Sequence, residues 1–269
     1  MTSATPIDDR MIARRLAAAR AIAEDAAALA MAMRPPPGGP TGTTKGMQDY
    51  LTETDGAVEK LIAERLNALY PEDGFMGEEA GSRRSGTLTW VVDPIDGTSN
   101  YARGRERWCI SIGLMHGKLP VAGVIHAPAL HEIYTAQRGH GAFLNGKRIK
   151  ASDIADTRTA MVEMGWSPKV TPDVYAKHMR AFMSLGVMPR SCGSGALAIA
   201  DVACGRQEAY LELVINLWDV AAGMVLLHEA GAVTSPFLEI GGLTGGALLF
   251  TAAPAIAGEL ARAAEVALD

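Results

Sequence analysis

Apolar residues recur at helical spacing between Asp8 and Met33, in a run dominated by alanine, and predict one long helix there. The stretch Arg34-Pro-Pro-Pro-Gly-Gly-Pro-Thr-Gly-Thr-Thr-Lys-Gly46 must end it, because proline cannot continue the hydrogen-bond ladder. It reads as a surface connection or as a mobile loop beside a site, since Lys45, Asp49 and Asp55 follow closely. A second helix is expected over 55–69, where Val58, Leu61, Ile62, Leu66 and Leu69 share one face. The period then shortens. Phe75-Met-Gly-Glu-Glu79 is a short segment ending in two adjacent carboxylates, and Trp90–Val92, Ile110–Met115 and Val121–Ile125 read as strands, the last two joined as a hairpin through His116-Gly-Lys118. Ile133–Ala136 and Ala142–Leu144 follow and turn on Asn145-Gly146. After about residue 152, strand-like and helical segments alternate. Strands are expected near 160–164, 187–191 and 208–213, with helices over 172–185, 194–204 and 217–230. Two short strands and a last helix near 255–267 close the chain. Gly231 is placed to end the helix before it. The pattern divides the chain into a hairpin-rich, antiparallel part, 1–152, and an alternating part, 153–269.

Composition narrows the class. The chain has 269 residues, 48% hydrophobic and 20% charged, which is an ordinary globular balance. Its 25 basic and 30 acidic residues leave a net charge of −5 with no basic run, which argues against nucleic acid as a main partner. No apolar stretch is long enough to span a bilayer. The Ala- and Arg-rich start resembles a transit peptide, but Asp8, Asp9, Glu24 and Asp25 interrupt it, so it reads as a helix of the mature protein. Three scattered cysteines, Cys109, Cys192 and Cys204, form no disulfide framework and fit a reducing cytoplasm.

Candidate chemistry concentrates in Trp90-Val-Val-Asp-Pro-Ile-Asp-Gly-Thr98. Some nearby acids have plain structural readings. Asp55 fits a helix N-cap, Asp219 a charge at a helix start, and Glu78-Glu79 a solvated turn. Asp93 and Asp96 do not. They sit at a strand end with Pro94 and Ile95 between them, and a Gly-Thr turn follows. Crowded carboxylates must protonate or bind a cation. Hard cations such as Mg2+ take carboxylate oxygens together with water and phosphate. Gly97 permits close approach, and a helix starting there would offer free amides to an anion. A cation site beside a phosphate site implies phosphate-ester chemistry.

Asp93-Pro-Ile-Asp-Gly-Thr98 followed by Asn100 resembles the signature of the inositol monophosphatase family. Gly77-Glu78-Glu79 resembles its upstream motif, and Trp218-Asp219-Val-Ala-Ala-Gly223 with Glu229-Ala230-Gly231 its downstream one. Thr52-Glu-Thr-Asp55 and Arg190-Ser-Cys-Gly193-Ser194 match two further segments, all in family order from about residue 45 to about 250. The resemblance implies an α+β fold of five layers, αβαβα, in a cytoplasmic homodimer. It also implies a lithium-sensitive, Mg2+-dependent phosphate monoester hydrolase acting on a small alcohol or sugar phosphate, with two to three Mg2+ ions per subunit and direct attack of water. Carried over residue by residue, Glu78, Asp93 and the Ile95 carbonyl would bind a first ion. Asp93, Asp96 and Asp219 would bind a second, and Glu78 would share in a weaker third. Asp55, Glu78 and Thr98 would act catalytically, with Asp55 and Thr98 orienting the water. The Gly97 and Thr98 amides would hold the phosphate. Glu212, Trp166 and Ser194 would lie on the substrate side. Inositol-type members carry Ser where this chain has Trp166, and the connection at 34–46 is longer than usual. Both departures bear on substrate choice, and histidinol phosphate or a nucleotide 3′-phosphate is the alternative.

Three rival readings are weaker. Haloacid-dehalogenase-type phosphatases place their two aspartates two apart, one being a covalent nucleophile; here the spacing is three, with Pro between. Gly193-Ser-Gly195-Ala-Leu-Ala198 with Glu212 downstream faintly suggests a dinucleotide turn, but reads better as tight helix–strand packing. A catalytically idle regulatory member should have lost a ligand, and none is lost. His126 and His131 lack nearby acids, and the histidines read as structural or surface. Cys109 reads as core.

Overall fold

The computed structural model describes residues 8–38, 43–46, 49–79 and 83–268. Residues 39–42 of the Pro/Gly connection lie outside the described residues, as do the side chains of Lys45 and Asp49. Among the described residues the helices are α1 (Asp9–Met33), α2 (Glu53–Leu69), α3 (Thr98–Ala102), α4 (Pro172–Ser184), α5 (Gly195–Ala203), α6 (Leu217–Ala230) and α7 (Pro254–Ala264). The strands of the first part are β1 (Thr43–Gly46), β2 (Asp49–Leu51), β3 (Gly74–Gly77), β4 (Arg83–Arg84), β5 (Leu88–Asp96), β6 (Cys109–His116), β7 (Leu119–Ala127), β8 (Glu132–Gln137), β9 (Gly141–Leu144) and β10 (Lys147–Arg148). The later strands are β11 (Met161–Met164), β12 (Met188–Arg190), β13 (Ala209–Ile215), β14 (Val233–Thr234) and β15 (Ala247–Ala252).

Asp8 caps α1 by accepting from the Arg10 amide at 3.0 Å. Ile12, Ala19, Ile22, Ala23, Ala26 and Ala30 form its buried face, and their small side chains let the helix lie close to the sheet. Pro35 forces Arg34 into extended backbone, which ends the helix. In α2, Thr52 is the N-cap and Asp55 sits at the third helical position, reaching back to the Thr52 amide at 2.9 Å. The helix therefore begins earlier than its apolar spacing suggested, and Asp55 is the return arm of a capping box instead of the cap.

The larger sheet runs β10-β9-β8-β7-β6-β5-β3-β4, and the smaller runs β12-β11-β13-β15-β14. The larger sheet is antiparallel as expected, except that β3 pairs parallel with β5. The smaller is mixed, with β11 parallel to β12 and β13, and β15 antiparallel to β13 and β14. Three apolar clusters give the layering. α1 and α2 cover the outer face of the larger sheet through Trp90, Val92 and Ile112. α5 and α6 fill the space between the sheets, against Val91 and Tyr134 on one side and Tyr210 and Leu249 on the other. α4 and α7 cover the far face of the smaller sheet around Phe182 and Phe250. The result is the αβαβα sandwich.

One irregularity matters for the site. In β5, Asp93 pairs with Ser111 but Asp96 pairs with Cys109, so three steps on one strand oppose two on the other. A bulge of this kind breaks the alternation of faces. Trp90 and Val92 face the outer cluster; Ile95 does too, although strict alternation would turn it inward. Asp93 and Asp96, three apart, consequently face the same inner side. Pro94, which has no N–H to donate, falls inside the irregularity.

Candidate active site

β13 carries a matching bulge. Glu212 pairs with Leu249 and Ile215 with Ala247. Tyr210, Glu212 and Ile215 thereby turn inward together, toward the acids of β5. Between the two strand ends opens a cleft of about 390 Å³. Glu78, Asp96, Gly97, Thr98 and Asp219 line one end of it, and Trp166 and Glu212 the other.

Asp93, Asp96 and Asp219 each offer a carboxylate oxygen within 4.8 Å of the other two. Asp93 is 1% exposed and Asp96 7%. Burial pushes the Asp93 carboxyl well up, and Glu78, Asp96 and Asp219 push it further. Burial and Asp96 push Asp219 up to about 7. Burial also raises Asp96, against the hydrogen bonds it accepts. Among the described residues no cationic side chain is paired with these three acids, and a divalent cation would supply the counter-charge that carboxylates held this close require. The donor set, carboxylates with a backbone carbonyl nearby, has the hard-oxygen chemistry that such a cation takes.

Each acid is held by several donors. Asp219 is the third helical residue of α6 and accepts from the Asn216 amide at 3.0 Å. This is the capping-box role that Asp55 plays in α2, so the plain reading of a helix-start acid and the functional reading are both met by one side chain. The Asp96 carboxylate receives the Gly195 amide at 3.2 Å, the Ala196 amide at 2.9 Å and the Ser194 hydroxyl. Ser194, read on the substrate side, does line the cleft, but turns its hydroxyl to Asp96. The glycine-rich turn into α5 spends its amides on this carboxylate instead of on a dinucleotide. Cys109 is fully buried as expected, yet its Sγ lies 3.6 Å from Asp96 Oδ2, at the edge of the site. Burial and the nearby Asp96 keep that thiol protonated.

The Thr98 hydroxyl lies 2.9 Å from the Ile95 carbonyl and 3.3 Å from Asp55 Oδ1. Asp55 is buried and its carboxyl is raised, by burial first. Gly97 opens α3 with φ +88, a left-handed conformation that favours glycine, and a Cβ there would stand 3.0 Å from the carbonyls of both Arg107 and Gly193.

At the other end, Tyr210 donates its hydroxyl to Glu212 Oε2. Burial pushes Glu212 up to about 8, against that hydrogen bond. A Cβ on Gly165 would fall 1.9 Å from Glu212 Oε2, so the carboxyl fits only because residue 165 has no side chain. Trp166 is 42% exposed on the rim.

All eleven site residues named from the sequence therefore gather in or directly under one cleft. The sequence reading missed their supports. Glu59, one helical turn after Asp55, is 2% exposed and accepts the Glu79 amide at 2.8 Å. Its position at i+4 from Asp55 was the available signal. Tyr210 and Glu163 carried none.

The sequence matches the inositol monophosphatase family over residues 11–267. It is 41% identical over 195 residues to the Nus factor SuhB of Xylella fastidiosa, covering 72% of this chain and 71% of that protein. It is 40% identical over 199 residues to inositol monophosphatase 2 of Solanum lycopersicum, covering 70% and 75%. The fold superposes on the solved structure of inositol monophosphatase from Anabaena (Nostoc) sp. PCC 7120 with a TM-score of 0.81 at 29% identity, over 95% of this chain and 97% of that one. Likeness on this scale, in sequence and in fold, makes the chain a member of the inositol monophosphatase family.

Proposed function

We propose that this phosphoric monoester hydrolase works with Mg2+ on a small alcohol or sugar phosphate, by direct attack of water and without a phosphoenzyme. The observation that carries the reading is the clustering of buried Asp93 and Asp96 with half-buried Asp219, each with an oxygen within reach of the others and with no cationic side chain among their hydrogen-bond partners described above. Glu78, Asp93 and the Ile95 carbonyl would hold one ion and Asp93, Asp96 and Asp219 a second, with Glu78 sharing in a third. Bound there, the ions supply neutralisation of phosphoryl charge and a more acidic water.

The chain's own groups do the rest. The Thr98 hydroxyl and Asp55, 3.3 Å apart, accept and orient the attacking water. The amides of Gly97 and Thr98 hold the phosphate at the start of α3. Asp96 is a poor covalent nucleophile, because both its oxygens already accept hydrogen bonds. Glu212 and Trp166 meet the alcohol part. Trp166 offers a flat apolar face and one N–H where a Ser would offer a hydroxyl, so a bare polyol loses a hydrogen bond of about 0.5–1.5 kcal/mol. A ring or a cationic group, as in histidinol phosphate, gains contacts instead. The relative named inositol monophosphatase 2 supports the inositol-like reading.

The relative named Nus factor SuhB supports a second reading, a regulatory protein on the same scaffold. The complete set of acids weighs against an idle site. The reading extends to a cytoplasmic homodimer, for which light scattering is the test. The experiment for the function is phosphate release from a panel of esters with Mg2+ and after chelation, followed by rapid quench with labelled substrate. Turnover that stops on chelation, with unlabelled protein, is expected. Turnover in chelator or a labelled aspartate would overturn the reading.

A further inference from the structure

Asn100 is 4% exposed, lies in the first turn of α3 beside the phosphate turn, and borders the cleft. Its Nδ2 stands 2.8 Å from the Arg107 carbonyl, 2.8 Å from the Cys192 carbonyl and 3.3 Å from the Gly193 carbonyl. Its Oδ1 accepts from Arg105 Nη1 at 3.0 Å. Carbonyls on one side and a guanidinium on the other fix which way round the amide sits. Two amide hydrogens serve three acceptors, so the group is saturated.

The Cys192 and Gly193 carbonyls belong to a segment 92 and 93 positions further along the chain. Glu163 Oε1 accepts the Cys192 amide of that segment at 3.1 Å, so Cys192 is held at both ends of its backbone. Gly193 follows with φ +81, and the next three residues deliver the donors that grip Asp96. The approach is close: a Cβ on Gly97 would stand 3.2 Å from the Ser194 Cβ. The seam between the start of α3 and the start of α5 therefore passes through Asn100 on one side of Gly97 and Asp96 on the other. Asp219, the third acid of the cluster, comes from beyond that seam, on α6.

We propose that Asn100 is a positioning residue of the reaction centre: it fixes the start of α5 against the start of α3, and so holds Asp96 in register with Asp93 and Asp219. The inference rests on the reading of those three aspartates as cation ligands. A merely structural amide would lower stability and leave cation affinity alone. A positioning amide sets the affinity itself: groups hydrogen-bonded to metal ligands typically cost 10–100-fold in affinity when removed, and Asn100 holds the segment that carries such groups to Asp96.

The test compares Asn100→Ala with the parent and with Glu229→Ala. Glu229 accepts the Gly139 and Gly141 amides at 2.8 and 2.6 Å, so its loss also removes hydrogen bonds between distant parts of the chain, but far from the cleft. Mn2+ binding is read by loss of the free-ion paramagnetic resonance signal, alongside Tm and the kcat and KM of Mg2+-driven phosphate release. Asn100→Ala should bind Mn2+ about tenfold or more weakly, with a fall in kcat and little change in KM. Glu229→Ala should bind like the parent, whatever its Tm. Asn100→Ala binding within twofold of the parent would overturn the inference. So would equal weakening in Glu229→Ala. A parent that binds no Mn2+ would instead sink the cation-ligand reading and, with it, the inference. Should Asn100→Ala fail to fold, Asn100→Ser, which keeps a small polar group in α3, carries the same comparison.

Discussion

The two ends of the cleft are reached by the same backbone device and differ in how tightly they are held. A bulge in β5 turns Asp93 and Asp96 to one side, and a bulge in β13 does the same for Glu212 and Ile215. At the acidic end, Asp96 alone takes three hydrogen bonds from the start of α5, and Asp219 is tied into a capping box. At the other end, Glu212 receives the Tyr210 hydroxyl, and Trp166 stands 42% exposed on the rim. The difference teaches where each property of the enzyme resides. Groups meant to stabilise charge in the reaction are fixed before substrate arrives. On the proposed function, the group that meets the variable part of the substrate from the rim is Trp166, and a substitution there should change the preference and leave the rest in place.

The largest expected effect breaks the acidic end. Asp93→Asn should lower kcat on every ester by roughly 10²–10³-fold, the range for losing one charge-stabilising group. It should also raise the Tm of the chelated protein, because burial and the neighbouring carboxylates destabilise the charged form of Asp93. A folded Asp93→Asn enzyme with near-full turnover would contradict the assignment.

Next comes the support of the water. Thr98→Ala removes the hydroxyl between Asp55 and the Ile95 carbonyl and should cost on the order of 10–100-fold in kcat with a small change in KM. A change confined to KM would move Thr98 from the chemistry to binding.

The sequence carried these acids because crowding leaves a local trace. Asp-Pro-Ile-Asp-Gly-Thr names its own chemistry, the apolar spacing of α1 and α2 fixes their extents closely, and Gly231 marks the end of α6. What it did not carry was long-range. The parallel pairing of β3 with β5 and the bulge that aligns Asp93 with Asp96 depend on which strand lies alongside. Glu59, Glu163 and Asn100 also bond partners 20 to 93 positions away, and although Glu59 stands four residues after Asp55 and Asn100 beside the motif, no local spacing announces those distant partners. Asp55 shows the intermediate case: its helix was legible, but its place at the third position instead of the cap depended on Thr52.

The smallest effects belong to the open end. Glu212→Gln should alter stability more visibly than turnover of the phosphate ester of an uncharged alcohol. A carboxyl pushed from its ordinary 4.5 to about 8 holds its proton more tightly folded than unfolded. Its contribution therefore erodes stability as pH rises from about 4.5 to about 8. Glu212→Gln should flatten part of that decline in a Tm-against-pH series of the chelated protein. An unchanged slope would mean that Glu212 is not held in its neutral form.

The measurement that tests the division most directly is one panel of phosphate esters, including inositol phosphate and histidinol phosphate, assayed for kcat/KM with parent, Asp93→Asn and Trp166→Ser. The account predicts that Asp93→Asn lowers all esters by a similar factor and keeps their rank. Trp166→Ser should leave the best kcat within a few-fold and shift the ratio toward inositol phosphate. A Trp166→Ser enzyme with the parent's ratio, or an Asp93→Asn enzyme that reorders the panel, would contradict the separation of chemistry from choice along this cleft.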